Sequence, residues 1–210
     1  TFTVTVSDSE LTDSQSMTVT ILPVNDAPVA TTGISAITDE DQNIVITILG
    51  SDIDENSLEF SLESDATNGS IVITEELENN DNGAFATYTP NTDYNGDDSF
   101  IFAVSDGDLS STATISLTID PVNDAPVLAT VSDVSFNENG SGSTSLSGSD
   151  VDLDELTYSI TDGVDITSSL TGSDVTFSAP LNFNGSESFT VSVSDSEYTD
   201  SQIITVTINP

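Results

Sequence analysis

The hexapeptide Pro121-Val122-Asn123-Asp124-Ala125-Pro126 repeats Pro23-Val24-Asn25-Asp26-Ala27-Pro28, and this recurrence restricts the fold more than any other feature of the chain. Proline has no backbone N–H and a fixed φ, so neither stretch can lie in a central strand and each reads as a joint. Residues far from the joints keep the same interval. Asp26 to Asp124 is 124 − 26 = 98, and Glu40 to Glu138, Asp52 to Asp150 and Asp8 to Asp106 match it. The next interval is shorter: Asp106 to Asp195 is 195 − 106 = 89, and most of the loss is assigned to the Glu75–Asn82 loop. Self-similarity at a fixed period indicates an array of small, similar bodies.

Within each body the apolar residues alternate. Phe100, Phe102 and Val104 are followed by Ile115, Leu117 and Ile119, and Phe189, Val191 and Val193 by Ile204, Val206 and Ile208. A period of two indicates half-buried strands. Residues 23–120 read as seven short strands, near 29–38, 43–50, 57–63, 69–75, 84–90, 98–105 and 111–120, and residues 121–210 repeat the pattern. Turns with positive φ are expected at Asn68-Gly69, Asn82-Gly83, Asn95-Gly96, Asn139-Gly140 and Asn184-Gly185. No apolar period of 3.6 occurs, so no helix of any length is expected. Regular short strands separated by turn signals point to β-sandwiches.

Residues 1–22 carry only the last two strands of the pattern, Phe2-x-Val4-x-Val6 and Met17-x-Val19-x-Ile21, and read as the tail of a preceding, truncated repeat. A lone hairpin is marginal in water, so its support is expected from outside the segment or from the neighbouring domain.

Charge narrows the function. The chain has 37 Asp and Glu and no Lys, Arg or His, for a net charge of −37. No ion pair between side chains can form, so each carboxylate faces water, accepts backbone hydrogen bonds or binds a cation. Nucleic acid is excluded as a partner because nothing basic exists to meet phosphate. No apolar run approaches the length of a membrane span, so membrane insertion is not expected. There is no Cys, so the fold is not a disulfide scaffold.

The carboxylates cluster. Asp52-Ile53-Asp54 recurs as Asp150-Val151-Asp152. In a loop at a strand end, two acids spaced by one residue fall on the same side. Calcium takes about 6–8 oxygens from carboxylates, amides, carbonyls and water, and the joints add Asn and Asp to the supply. The bland alternative is a solvated acidic loop.

At Val104-Ser105-Asp106-Gly107, at Asp120-Pro121-Val122-Asn123-Asp124-Ala125-Pro126, and at Asp52-x-Asp54 followed by Phe60-Ser61-Leu62, the chain resembles the cadherin-like tandem repeats of bacterial surface adhesins, and more distantly the cadherins. The resemblance implies an all-β fold of tandem seven-stranded Greek-key sandwiches, Ig-like, in an elongated array that binds Ca2+ where two domains meet. It implies ligands at the middle joint from Glu40, from Asp120, Asn123 and Asp124 of the linker, and from Asp150, Asp152 and Asp195. For the upstream joint it implies Asn25, Asp26, Asp52, Asp54 and Asp106. Asp93 stands where a further cadherin acid would be sought, and Glu138 would serve a joint beyond Pro210. Leu22 replaces the Asp120 equivalent upstream, and the linker is one residue shorter than in cadherins, so one or two ions per joint are expected.

The expected function is an extracellular spacer or adhesion array, secreted or on a cell surface, stiffened by calcium. Its partners are the neighbouring repeats of the same chain, with lateral self-association and a glycan or cell-surface ligand as further possibilities. The alternative is a carbohydrate-binding or enzyme-appended module, for which Tyr94 and Tyr198 are isolated aromatic candidates. An enzyme is not expected: without His, Cys, Lys or Arg only carboxylates and hydroxyls remain, and the acid clusters repeat at every joint rather than forming one site.

Overall fold

A computed structural model of the chain describes residues 1–75 and 82–210. The expected deletion site, the Glu75–Asn82 loop, lies largely outside these residues. The described residues are all strand, turn and loop, with no helix. They form two compact units, Thr1–Asp120 and Pro121–Pro210.

The first unit begins with an antiparallel hairpin, β1 (Phe2–Ser7) and β2 (Thr12–Met17), in which Phe2 stands opposite Met17. The sandwich follows: β3 (Val29–Ala30), β4 (Ser35–Asp39), β5 (Ile44–Ser51), β6 (Glu59–Ser64), β7 (Gly69–Glu75), β8 (Gly83–Pro90), β9 (Gly96–Ser105) and β10 (Ser110–Asp120). One sheet has the order β3-β5-β8-β7 and the other β4-β10-β9-β6. This is the immunoglobulin arrangement, with a parallel β4–β10 pair closing the second sheet.

The opening strand, expected as one piece over 29–38, is two. Gly33 takes a φ of 79° between them, a conformation open to glycine at little cost. The chain therefore leaves β5, where Thr31 N–H donates to the Leu49 carbonyl, and crosses to β10, where Ser116 N–H donates to the Ile34 carbonyl. The strand so divided still leaves seven strand positions.

The second unit repeats this plan with β11 (Val127–Leu128), β12 (Val134–Asn137), β13 (Gly142–Ser145), β14 (Gly148–Ser149), β15 (Thr157–Ile160), β16 (Thr167–Thr171), β17 (Asp174–Ser178), β18 (Gly185–Ser194) and β19 (Thr199–Asn209). Its main sheet runs β12-β19-β18-β15, opposite β13-β17-β16 and the short β11-β14 pair.

Alternation buries every second residue. In β10 the side chains of Ala113, Ile115, Leu117 and Ile119 point inward, and in β18 those of Phe189, Val191 and Val193. Each core is centred on aromatic pairs: Phe60 stacks on Phe102 at 6.4 Å, and Phe177 meets Phe189 edge-on at 5.2 Å. Fully burying side chains of this size is worth about 1.5–3 kcal/mol each, which lets a lean apolar composition hold two cores.

The expected positive φ occurs at three of the five Asn-Gly pairs and not at Asn68-Gly69 or Asn82-Gly83, whose glycines lie in strands. Gly96 and Gly185 have positive φ, but at Asn139-Gly140 it is the asparagine that turns left-handed, at 62°. Gly69 lies in extended strand. It is glycine because the Tyr88 ring occupies the space a Cβ would need.

Candidate metal centres

Each unit gathers acids at the end where its linker enters. In the first unit the loop after β5 turns at Glu55, left-handed at 60°, and in the second the matching Leu153 does so at 65°. Non-glycine residues in this region cost about 1–3 kcal/mol, so the same strained turn in both units marks a loop held to a purpose. The turn folds the D-x-D onto itself. Asp52 Oδ1 accepts Asp54 N–H at 2.7 Å, and Asp150 Oδ1 accepts Asp152 N–H at 2.9 Å.

The linkers are tied to these loops. Asp54 Oδ2 accepts Asp26 N–H at 2.8 Å, and Asp152 Oδ2 accepts Asp124 N–H at 2.7 Å. Asn25 Nδ2 donates to Asp106 Oδ2 at 2.8 Å, and Asn123 Nδ2 to Asp195 Oδ2 at 2.9 Å. Asn25 Oδ1 in turn accepts from Asn56 Nδ2. The two asparagines thus serve here as struts between linker and carboxylate.

The other oxygen of Asp106 accepts Asp108 and Leu109 N–H, and that of Asp195 accepts Glu197 and Tyr198 N–H. The Leu109 N–H and the Asn25 amide hold the Asp106 carboxyl below its ordinary range. Burial works against the charge on Asp195, but the Asn123 amide and the Tyr198 and Glu197 N–H groups outweigh it and lower the pKa. Both side chains are therefore fully ionised near neutrality.

One atom in each cluster is unaccounted for. Asp52 Oδ2 and Asp150 Oδ2 are buried and, among the described residues, have no hydrogen-bond partner. A buried polar atom without a partner costs about 1–3 kcal/mol, more when charged. The two orphans occupy the same position in two repeats, which favours a missing ligand over an accident. The donor set around them is all hard oxygen, so the residues present fit a divalent cation of the calcium class.

At the opposite end of the first unit, eleven residues along β10 and roughly 36 Å away at about 3.3 Å per residue, a second set appears. Glu40 N–H donates to the Asp120 carbonyl at 2.9 Å, and Glu40 is 3 % exposed. Next to it Asp41 Oδ1 accepts Asp93 N–H at 3.2 Å, both residues being left-handed. Asp41 was missed in the sequence, although its counterpart 98 residues on, Asn139, had been noticed as a turn.

A third kind of carboxylate was also missed. Asp98 accepts Thr67, Asn68 and Ser99 N–H and the Tyr88 hydroxyl. In the second unit Glu187 accepts Val164, Asp165 and Ile166 N–H. Burial opposes both charges, but the ring of N–H donors prevails and both pKa values fall below the ordinary ones. These acids staple a loop to the start of a strand. Of the two aromatic candidates, Tyr94 is half-buried against the core and donates to the Asp97 carbonyl at 2.8 Å, whereas Tyr198 is 45 % exposed.

The family profile described as Bacterial Ig domain matches residues 25–118 and again 123–207. Among solved structures, the first two extracellular repeats of human protocadherin-24 match at 14 % identity over 89 % of this chain and 100 % of that one, with a TM-score of 0.55. Three repeats of a mouse clustered protocadherin match at 13 % identity over 99 % and 76 %, with a TM-score of 0.51. At such identities the likeness is one of fold. An endo-fucoidan hydrolase of glycoside hydrolase family 107 matches at 21 % identity and a TM-score of 0.42, and this chain spans 34 % of its length. No curated protein sequence matches.

Proposed function

The chain belongs to the bacterial Ig domain family, which it represents twice in tandem, and on that premise we propose that it is a non-catalytic spacer or adhesion array, extracellular, whose joints are stiffened by Ca2+. The observation that carries this is the pair of buried, partnerless oxygens, Asp52 Oδ2 and Asp150 Oδ2, at the linker end of each unit. The absence of any basic residue supports it, because no side chain of the protein can bring a positive charge to such an oxygen.

In this reading Asp52, Asp54 and Asp106 with Asn25 and Asp26 form one centre. Asp150, Asp152 and Asp195 with Asn123 and Asp124 form the next, and Glu40 and Asp120 are candidate ligands at the far end of the first unit. Asp93, paired with Asp41, adds acid at that same end. Calcium supplies charge neutralisation and a common anchor. The chain's own part is to hold the oxygens: Asp26 and Asp124 N–H orient the D-x-D carboxylates, and Asn25 and Asn123 orient Asp106 and Asp195. An ion that binds only the ordered joint favours it by RT ln(1 + [Ca]/Kd), and extracellular modules have Kd around 10⁻⁴–10⁻³ M. Neighbouring repeats are then the obligatory partners, and a cell-surface or glycan ligand is a further role such an array can display. No helix among the described residues is long and apolar enough to cross a membrane.

Isothermal calorimetry with calcium tests the proposal. Saturable binding is expected, reduced by one class of site in Asp52→Asn and by another in Asp150→Asn. Absence of heat together with a melting curve unmoved by excess chelator would end it.

A further inference from the structure

Among the described residues, the hairpin β1–β2 is the one strand pair whose apolar side chains have no core beneath them. Phe2, Val4, Val6 and Met17 are each at least 50 % exposed. Most of its residues are those of β18–β19 at one constant offset, with Thr5, Ser16 and Met17 standing opposite Ser192, Ile203 and Ile204. Phe2 corresponds to Phe189, Val4 to Val191, Val6 to Val193, Asp8 to Asp195, Asp13 to Asp200 and Gln15 to Gln202, all 187 apart (195 − 8 = 187). The pairing register agrees: Val4 faces Gln15 and Val6 faces Asp13, as Val191 faces Gln202 and Val193 faces Asp200.

In the second unit these positions have defined partners. Phe189, Val191 and Val193 are wholly buried. Asp200 Oδ2 accepts Leu128 N–H at 2.8 Å. Gln202 Oε1 accepts Val131 N–H at 3.0 Å, while its Nε2 donates to the Leu128 and Ala129 carbonyls. The two side chains therefore clamp the backbone of the opening strand, whose edge groups would otherwise be unsatisfied. The first unit does this with another residue, Ser111, whose Oγ accepts Ala30 N–H. An Asp and a Gln at these positions on the hairpin thus specify a partner of the second unit's kind.

We propose that the outer hairpin is a docking face for a segment with the chemistry of residues 121–187, the complement that β18–β19 have in the second unit, its opening strand gripped by Asp13 and Gln15. This inference rests on side-chain matching and is independent of the calcium proposal.

The test places residues 121–187 directly before Thr1 of the full chain, so that residues 1–22 stand where 188–209 stand in the second unit, and follows amide hydrogen exchange with calcium and, separately, with chelator. The hairpin amides of Val4, Val6 and Thr12–Met17 are expected to slow by roughly 100-fold relative to the ungrafted chain, as cooperative burial requires. Adding Asp13→Ala and Gln15→Ala should restore fast exchange in the grafted opening strand while both original units keep their protection as internal controls. Hairpin amides that exchange equally fast with and without the graft would overturn the proposal. So would protection of the ungrafted hairpin that grows with protein concentration, since the occupant would then be a second copy. Failure of calcium to change either result bears only on the joint proposal.

Discussion

The two sandwiches share one backbone plan, but the paired acids of the linker end recur in both while those of the far end do not. At the linker end, Asp52, Asp54 and Asp106 match Asp150, Asp152 and Asp195 acid for acid, and the hydrogen bonds that fold the D-x-D and tie it to the linker recur. At the far end, Asp93 N–H donates to Asp41 Oδ1 in the first unit, and Asn182 N–H donates to Asn139 Oδ1 in the second, with all four residues left-handed near 60°. Since amides close the same turn as well as acids, the carboxylates of Asp41 and Asp93 are not there for the turn. Geometry and charge are separable in this fold, and the charge is where function is to be sought.

The largest expected effect comes from the acids that hold backbone N–H groups away from the linkers. Removing the staple in Asp98→Ala strands three backbone N–H groups and the Tyr88 hydroxyl, and should destabilise the first unit by about 3 kcal/mol while leaving the second unit's transition in place. Glu187→Ala should do the reverse. Differential scanning calorimetry resolves the two, and a shared drop in both transitions would show that the units do not melt separately.

Next in size is the cation increment. At calcium about 100-fold above Kd the ion contributes roughly 2.7 kcal/mol per site. Asp52→Asn keeps an oxygen for Asp54 N–H but removes the charge, so it should abolish the calcium-dependent rise of the first unit's melting temperature. Asp150→Asn should do so for the second. If one substitution removes both shifts, the two linker-end clusters are not equivalent.

A smaller effect is expected with acid. The depressed pKa values of Asp98 and Glu187 mean that the stability they contribute is present above the ordinary carboxylate range and is lost as pH falls through their folded-state values. Fewer ionised groups also relieve the repulsion among 37 acids, so stability should rise slightly on mild acidification before it falls. In Glu187→Gln the late fall should become shallower in the second unit alone, with the part due to Asp195 remaining, as read by melting temperature against pH.

Much of this fold was open to inspection in the residues. Alternation at Phe100-x-Phe102-x-Val104 and its copies could only mean strands with one buried face, and the intervals between like residues gave the units. The split of the opening strand was harder to see, because Val29–Thr38 alternates well enough throughout and only the φ of Gly33 reveals the crossover. The site was legible where charge and repetition coincide, as at the D-x-D loops. It was not legible at Asp98 and Glu187, which differ in type, nor at Asp41, whose repeat partner is an asparagine. A carboxylate accepting backbone N–H looks the same in sequence as one awaiting an ion, and the three-dimensional partners alone separate them.

The far ends offer the mildest perturbation and the sharpest comparison. Asp41→Asn with Asp93→Asn gives the first unit the second unit's neutral turn, and Asn139→Asp with Asn182→Asp does the opposite. Because the amide keeps the hydrogen-bonding oxygen, neither exchange should move stability by more than ~0.5 kcal/mol in chelator, the range of ordinary surface substitutions. With calcium present the two should diverge: the neutral variant loses affinity in titration, and the acidic variant gains a weak site that the native second unit lacks. Equal calcium responses in all three proteins would mean that Asp41 and Asp93 are solvated surface acids. The cation demand of the array would then rest on the linker-end carboxylates, and the asymmetry between the far ends would have no part in it.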